Sequence, residues 1–189
     1  MFENVKVLGI KVPLHVNFEE VNLRFYVKRF EDGIWKRGVV FVKEIVPKHA
    51  ITIVANALYN ENYQTLPMRN IRTTEQNSNT FEYAWKKKNH WNSISATTKT
   101  KLIPIEENSE AEFISEHYYG YTKASDRKTV EYEVRHPKWQ QLEVIDYKID
   151  VDFKTVYGAE FAYLQHLQPV SCFMAKGSKI TIEGKKIIK

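Results

Sequence analysis

Three segments alternate apolar with polar side chains at every second position, and this periodicity constrains the fold more than any other feature. The segments are residues 81–86 (FEYAWK), 130–135 (VEYEVR) and 145–153 (IDYKIDVDF). Successive side chains of a β-strand point to opposite faces, so each segment predicts a strand with an inward apolar face. Clean alternation is typical of antiparallel sheets. We therefore expect a β-rich fold.

A fourth alternating segment, residues 21–27 (VNLRFYV), has several polar groups on one face. We expect its apolar residues, at positions 21, 23, 25 and 27, to pack into one layer of the core. Asn22, Arg24 and Tyr26 then share the opposite face, where they can converge on a ligand. The fork of an arginine suits a carboxylate. Whether Arg24 meets a ligand, Glu116 or solvent is left open by the sequence.

Helical patterns are few and short. Residues 47–59 place apolar side chains at helical spacing behind Pro47, a residue favoured in the first turn of a helix. Ser109 and Glu112 form a capping-box pattern, so we expect a second helix at residues 109–117. A third short turn is expected at residues 159–164. Together these patterns predict an α+β fold with two or three short helices.

The chain of 189 residues shows no internal repeat, low-complexity segment or linker, so we expect one domain over residues 1–189. Its apolar stretches are shorter than the ~18 residues that a membrane helix needs. Cys172 is the single cysteine and cannot form an internal disulfide, whereas secreted domains of this size usually contain several. These features predict a cytoplasmic protein, with Cys172 buried on a strand.

The net charge of +5 raises the question of nucleic acid as a partner, because basic surfaces attract phosphate. The charge is spread thinly, and its densest cluster, residues 86–88 (KKK), lies between two strand-like segments. We interpret this cluster as a solvated hairpin turn. Neither nucleic acid nor a membrane is expected as a partner, whereas a homo-oligomer formed through a strand edge stays open.

Metal and nucleotide motifs are absent from the sequence. The six histidines show no His-x-x-x-His spacing, the single cysteine makes no Cys-x-x-Cys motif, and the seven glycines form no phosphate-binding loop. We therefore expect no metal ion and no cofactor.

Two aromatic segments carry further candidate residues. Glu116, His117 and Tyr119 occur where the second predicted helix ends and a strand begins, a place from which side chains often reach a cavity mouth. A proline follows His136 and favours an extended turn that aims His136 and Trp139 inward. The alternative, in which these are amphipathic residues of a well-packed core and turn, stays open.

Five blocks of sequence carry a resemblance that spans nearly the whole chain. They are residues 21–27 (VNLRFYV), residues 38–41 (GVVF), residues 113–121 (FISEHYYGY), Val134 together with residues 136–139 (HPKW), and residues 177–178 (GS). Together they are similar to the bacterial YqjF-like proteins, a family of unknown function. The resemblance implies the fold of acetoacetate decarboxylases, in which curved antiparallel sheets form a barrel or cone around a small-molecule pocket.

Two departures limit what this resemblance implies. Members of the family have a leading segment before the position of Met1, so this chain is expected to lack its first strands. Acetoacetate decarboxylases form a Schiff base through one of two lysines after a proline, whereas Met68 and Arg69 follow Pro67 here. Methionine cannot form an imine and arginine stays protonated, so Schiff-base decarboxylation is not expected.

The sequence thus predicts a sheet-enclosed pocket for a small organic molecule, an anionic one included. The candidate pocket residues are Asn22, Arg24, Tyr26, Glu116, His117, Tyr119, His136 and Trp139. Arg24 would clamp an anionic group, one of the two histidines would act as acid or base, and the aromatic residues would form an apolar wall. Whether the protein is an enzyme or a non-catalytic sensing or binding module stays open.

Overall fold

Twelve strands make up most of the computed structural model, which describes residues 1–6 and 15–188. In chain order the strands are β1 (Val21–Glu31), β2 (Ile34–Val46), β3 (Tyr63–Thr65), β4 (Met68–Thr74), β5 (Ser78–Lys87), β6 (His90–Pro104), β7 (Tyr119–Ser125), β8 (Lys128–Arg135), β9 (Gln140–Asp150), β10 (Met174–Ala175), β11 (Thr181–Ile182) and β12 (Lys186–Ile188). The predicted β-rich α+β fold is confirmed.

The strands form two sheets. The first has seven strands in the order β1-β2-β7-β8-β11, with β3 beside β2 and β12 beside β8. The second has five strands in the order β10-β9-β6-β5-β4. Strand β2 runs parallel to β3 and β7, and the other strand pairs are antiparallel. Within the described residues neither sheet closes into the predicted barrel, because β1 and β4 each pair on one side only.

Strands β1 and β2 form a long antiparallel hairpin that decides which side chains share a face. Asn22 lies opposite Glu44, and Tyr26 lies opposite Val39. The register shifts once, after Leu23, which is the signature of a β-bulge. Residues directly opposite each other project to the same side, so the polar residues of β1 and Glu44 share one face.

Positive backbone φ angles mark two of the hairpin turns. Asp32 (52°) and Gly33 (79°) connect β1 to β2, and an Asp-Gly pair is favoured in such two-residue turns. Lys88 (53°) lies between β5 and β6. The prediction of a hairpin turn at the lysine cluster is therefore confirmed.

The helices are short: α1 (His49–Tyr59), α2 (Glu110–Ser115), α3 (Phe153–Tyr157) and a 3₁₀ helix at Ala159–His166. Three of these four begin close to where the sequence predicts them. The predicted strand over residues 145–153 is too long, because β9 ends at Asp150 and Asp152 caps α3, which the sequence does not predict. The backbone N–H of Glu112 donates to the hydroxyl of Ser109 at 3.1 Å, and the Glu112 carboxylate accepts from the N–H of Asn108 at 2.7 Å. Ser109 therefore caps α2, as its sequence pattern predicts.

The core lies between the two sheets, where Ile45 of β2 meets Trp85 of β5. Both side chains are fully buried, and Val151, Val156 and Tyr157 complete the cluster. Partly buried apolar residues pack around it: Val21, Leu23, Leu66, Met68, Phe153 and Phe161. The first half of β1 thus enters the core as predicted.

Several apolar residues that were expected to be buried are exposed. Phe25 is 50% exposed, so β1 contributes to the core only through its first residues. In β9, Ile145, Tyr147 and Ile149 are 53%, 38% and 41% exposed, whereas Val151, directly after this strand, belongs to the core cluster. Cys172 is also exposed and precedes β10, so its predicted burial on a strand is wrong.

Two glycines allow tyrosine rings to lie against the first sheet. A Cβ atom at Gly120 would lie 2.1 Å from the ring of Tyr132, and one at Gly38 would lie 2.5 Å from the ring of Tyr121. No side chain fits at either distance. Because Gly120 pairs with Tyr132 and directly precedes Tyr121, the two tyrosines lie on opposite faces of the sheet.

The single domain over residues 1–189 stays a prediction, and residues 7–14 and 189 lie outside the described residues. No helix in the described part of the chain is long and apolar enough to cross a membrane.

Replacing Ile45 by alanine is expected to lower the free energy of unfolding by about 3 kcal/mol, because the change leaves a cavity in the core. The matched control is Ile34→Ala on the same strand, where the side chain is 66% exposed. The control should change stability by less than ~0.5 kcal/mol. Urea unfolding followed by tryptophan fluorescence measures both variants, and equal effects would contradict this placement of the core.

Candidate functional site

One face of the first sheet gathers three glutamates around two tyrosines. Asn22, Glu44 and Tyr63 lie side by side on β1, β2 and β3, so their side chains share this face. Two more glutamates precede β1 and β3. We call the following residues the acid cluster: Glu20, Glu44, Glu61, Tyr63 and Tyr132. We call the side of the sheet that carries them the carboxyl face.

Hydrogen bonds hold two of the three carboxyl groups. Glu20 accepts from the hydroxyl of Tyr63 at 2.9 Å and from the amide of Asn22 at 3.1 Å. Glu61 accepts from the hydroxyl of Thr122 at 3.3 Å. Glu61 reaches the cluster because α1 ends at Tyr59 and the next residue, Asn60, has a left-handed conformation that turns the chain toward β3.

The carboxyl groups of Glu44 and Glu61 are buried and only partly satisfied. Glu44 is 3% exposed and Glu61 is 9% exposed. Within the described part of the chain, Oε2 of Glu44 and Oε1 of Glu61 have no hydrogen-bond partner. Buried polar atoms in native proteins are rarely unpaired. These two oxygens therefore mark a place where an additional polar group would be stabilised.

Burial raises the pKa of the three carboxyl groups in the acid cluster. It raises the pKa of Glu44 to about 9, with the neighbouring carboxyl groups of Glu20 and Glu61 adding to the effect. Burial also raises the pKa of Glu20 and of Glu61. Glu44 is therefore neutral at pH 7, and a neutral carboxylic acid donates a hydrogen bond or a proton where a carboxylate only accepts.

Arg24 lies between the acid cluster and a group of aromatic rings. Its guanidinium carbon is 5.6 Å from the ring centroid of Tyr26, whose ring centroid is 4.6 Å from that of His117. Phe113 closes the group, with its ring centroid 4.9 Å from that of His117. The positive charge of Arg24 partly offsets the rise that burial causes in the pKa of Glu20, and it adds to the lowering of the pKa of His117.

His117 is neutral at physiological pH. Burial lowers its pKa to about 4, and the charges of Arg37 and Arg24 add to this effect. Its Nδ1 atom has no hydrogen-bond partner among residues 1–6 and 15–188. In the predicted role of acid or base, His117 thus accepts a proton or a hydrogen bond and does not act as an imidazolium donor.

A second group of predicted residues lies together elsewhere. The ring centroids of His136 and Trp139 are 4.3 Å apart, and those of His136 and Tyr118 are 5.0 Å apart. The hydroxyl of Tyr118 donates to Glu116. The indole N–H of Trp139 donates to the hydroxyl of Ser178 at 2.8 Å. These contacts agree with the alternative of a well-packed aromatic turn.

Tyr119 lies on the side of the first sheet opposite the carboxyl face, where the ammonium nitrogen of Lys36 is 4.8 Å from its ring centroid. The eight predicted residues therefore occupy three places. The structure brings together Asn22, Arg24, Tyr26 and His117 on the carboxyl face, and Glu116, His136 and Trp139 in the aromatic turn. Their role in binding stays a prediction.

Sequence reasoning missed the three glutamates of the acid cluster. Glutamate is common and mostly exposed in folded proteins, so its presence near a strand attracts no attention. The available signal was the position of Glu44 in residues 39–46 (VVFVKEIV), an otherwise largely apolar strand. No three His, Cys, Asp or Glu side chains of the described ranges are placed to hold a metal ion.

The pKa of Glu44 predicts an unusual dependence of stability on pH. The folded state keeps this proton up to about pH 9, whereas the unfolded chain releases it near the ordinary value of 4.5. Between these two pKa values the folded state binds more protons than the unfolded chain. The free energy of unfolding therefore falls as the pH rises from 4.5 to about 9, by ~1 kcal/mol per pH unit. Glu44→Gln should make this slope smaller and stabilise the protein at pH 8.

Urea unfolding at several pH values between 5 and 8 measures this slope. The control is Glu107→Gln, a change at an exposed glutamate, which should leave the slope of the parent protein unchanged. A slope that is the same in the parent and in Glu44→Gln would show that Glu44 is ionised in the folded protein.

A comparison with models of known protein families shows which family this chain belongs to. A family model described as an uncharacterized conserved protein, DUF2071 (COG2071), matches residues 1–179. No curated protein matches the sequence. The match covers nearly the whole chain, and it is consistent with the predicted YqjF-like family of unknown function. The chain therefore belongs to the DUF2071 family of uncharacterized conserved proteins.

Proposed function

We propose that this protein binds a small organic molecule at the carboxyl face, between Arg24 and the acid cluster. The observation that carries the proposal is the pair of unsatisfied, buried carboxyl oxygens on Glu44 and Glu61. A buried polar atom without a partner costs free energy, which a bound ligand with matching polar groups would recover.

The chemistry of the site favours a ligand with carboxylate or carbonyl oxygens. Arg24 supplies a planar cation that suits a carboxylate. Glu44 is neutral at pH 7 because of its burial and raised pKa, so it would donate a hydrogen bond to an oxygen acceptor. The rings of Tyr26, His117 and Phe113 would form the apolar wall that small-molecule sites usually contain.

The relation to acetoacetate decarboxylases is part of this proposal. Two sheets that share one core are compatible with the curved sheets that the resemblance implies. The side chains after Pro67 support a different chemistry. Met68 packs against the core cluster, and the guanidinium carbon of Arg69 is 4.5 Å from the ring centroid of Trp91. Neither side chain offers the neutral amine that a Schiff base needs.

Binding at this site leads either to turnover or to a non-catalytic sensing role. A neutral carboxylic acid beside a second carboxyl group is a suitable proton donor for a reaction of a carbonyl compound. Chemical analysis of the ligand after long incubation separates the two roles. A ligand recovered unchanged would favour the sensing module.

Thermal melts with a panel of small carboxylates, keto acids and apolar acids test the proposal. A ligand at about 100 times its Kd adds ~2.7 kcal/mol of stability, which raises the Tm of a chain of this size by roughly 2 to 4 °C. Arg24→Gln should reduce the shift that a carboxylate causes, because it removes the cation. Glu44→Leu should also reduce it, because it removes the proposed hydrogen-bond donor.

The matched control is Arg127→Gln, which removes an equal charge from an exposed turn between β7 and β8. It should keep the full shift. A shift that persists in both Arg24→Gln and Glu44→Leu would place the ligand elsewhere, and the absence of any shift across the panel would count against a small acid as the ligand.

A further inference from the structure

Strand β9 of the second sheet has an edge that carries no neighbouring strand over most of its length. Gln141 and Leu142 lie between β6 and β10, whereas over residues 144–150 the strand pairs with β6 alone among the described strands. Six consecutive residues, 145–150, are exposed, so neither face of this part of the strand is covered. An edge of this kind presents unpaired backbone N–H and C=O groups to which a further strand can bind.

A segment of the chain passes this edge without pairing with it. Residues 169–172, which precede β10, and residues 144–147 together line an open cleft of about 280 Å³. No backbone hydrogen bond joins the two segments in the part of the chain that the structure describes. Val170 in this segment is 90% exposed. The edge is therefore open to solvent, and an exposed apolar side chain lies beside it.

The two faces of β9 differ in chemistry. Tyr147 and Ile149 lie opposite apolar residues of β6, so they share the apolar face of the second sheet. Asp146 and Lys148 project from the other face. Neither of these two charged residues forms an ion pair within residues 1–6 and 15–188. Their charges are therefore available to a partner.

Antiparallel pairing of this edge with the same edge of a second copy is self-complementary in one register. In this register Tyr147 lies opposite Tyr147 of the second copy. Asp146 then lies opposite Lys148 of the second copy, and this pair occurs twice because two-fold pairing is reciprocal. Opposite charges and aromatic pairs directly across adjacent strands both stabilise a sheet.

Other registers are less favourable. A slip of one residue places the apolar face of one copy beside the charged face of the other. A slip of two residues places either Asp146 opposite Asp146 or Lys148 opposite Lys148, and like charges directly opposite each other are destabilising. A slip of four residues requires either Val151, which is buried in the core, or Leu142, which pairs with β10.

The other free edges offer no such match. Strand β4, at the opposite end of the second sheet, contains Arg69 and Arg72 and no acid. Pairing β1 with itself about its central residue, Tyr26, would place Arg24 opposite Lys28. Charge complementarity therefore favours β9 over both.

We propose that this protein forms a two-fold symmetric homodimer through the edge of β9, with Tyr147 on the symmetry axis and two Asp146–Lys148 pairs beside it. Ile149 of each copy would then lie beside Ile145 of the other, which removes apolar surface from water. A β-bulge at Ile145, where the register with β6 shifts, limits the length of the pairing, so the dimer is a weak one. The interface is separate from the proposed ligand site, which lies on the first sheet.

Sedimentation velocity of the intact chain, from ~1 µM to ~1 mM protein, measures this equilibrium. Asp146→Lys and Lys148→Asp should each weaken the dimer roughly tenfold, because each places like charges opposite each other twice. The double variant should recover the affinity of the parent protein, since opposite charges face each other again. The matched control is Asp126→Lys in the turn between β7 and β8, where the side chain is 91% exposed, and it should leave the dimer unchanged.

Oxidative cross-linking tests the register. Cys172→Ser first removes the single, exposed cysteine. Tyr147→Cys in this background should form an intermolecular disulfide, because directly opposite Cα atoms in an antiparallel pair are ~4.5–5.5 Å apart, within reach of a disulfide. Ile149→Cys, on the same face, should cross-link much more slowly.

Three results would overturn the proposal. The first is a parent chain that stays monomeric at the highest concentration. The second is a dimer that neither charge reversal weakens, or that the double variant does not recover. The third is cross-linking of Ile149→Cys as fast as that of Tyr147→Cys.

Discussion

The pairing of β1 with β2 is the constraint on which the rest of the structure depends. Because side chains alternate along β1, one hairpin supplies both sides of the first sheet. Val21 and Leu23 enter the core with Ile45, whereas Asn22 and Glu44 turn to the carboxyl face. A slip of the register by one residue would exchange the two sets, placing charged groups in the core. The position of the carboxyl face therefore follows from this register.

The two faces of the sheet accommodate buried acids in different ways. Among the described residues no cation forms an ion pair with Glu44, so burial raises its pKa and the group keeps its proton. Glu131 is equally buried, but hydrogen bonds from Lys186 and Lys36 outweigh the effect of burial and lower its pKa. One carboxyl group is therefore a hydrogen-bond donor, and the other is a fixed negative charge. This difference is why we assign a ligand with oxygen acceptors to the carboxyl face.

Membership of an uncharacterized family assigns no activity, so the argument for function depends on the site itself. The unsatisfied oxygens of Glu44 and Glu61 lie on the carboxyl face. Each side of the sheet has a glycine against which a tyrosine ring packs, Gly120 against Tyr132 and Gly38 against Tyr121. The sheet is thus a scaffold with two chemically distinct surfaces.

The sequence by itself determined the strands with clean alternation, the turn at the lysine cluster and the cap of α2, because period-two alternation and a capping box are local signals. It also indicated that Asn22, Arg24 and Tyr26 share a face. Only the tertiary structure decided that Phe25 and Ile145 are exposed, and that Glu20, Glu44 and Glu61 meet. The physical reason is that burial of a side chain depends on which distant strand covers it. Residues that contact each other across three separate segments leave no pattern in any one of them.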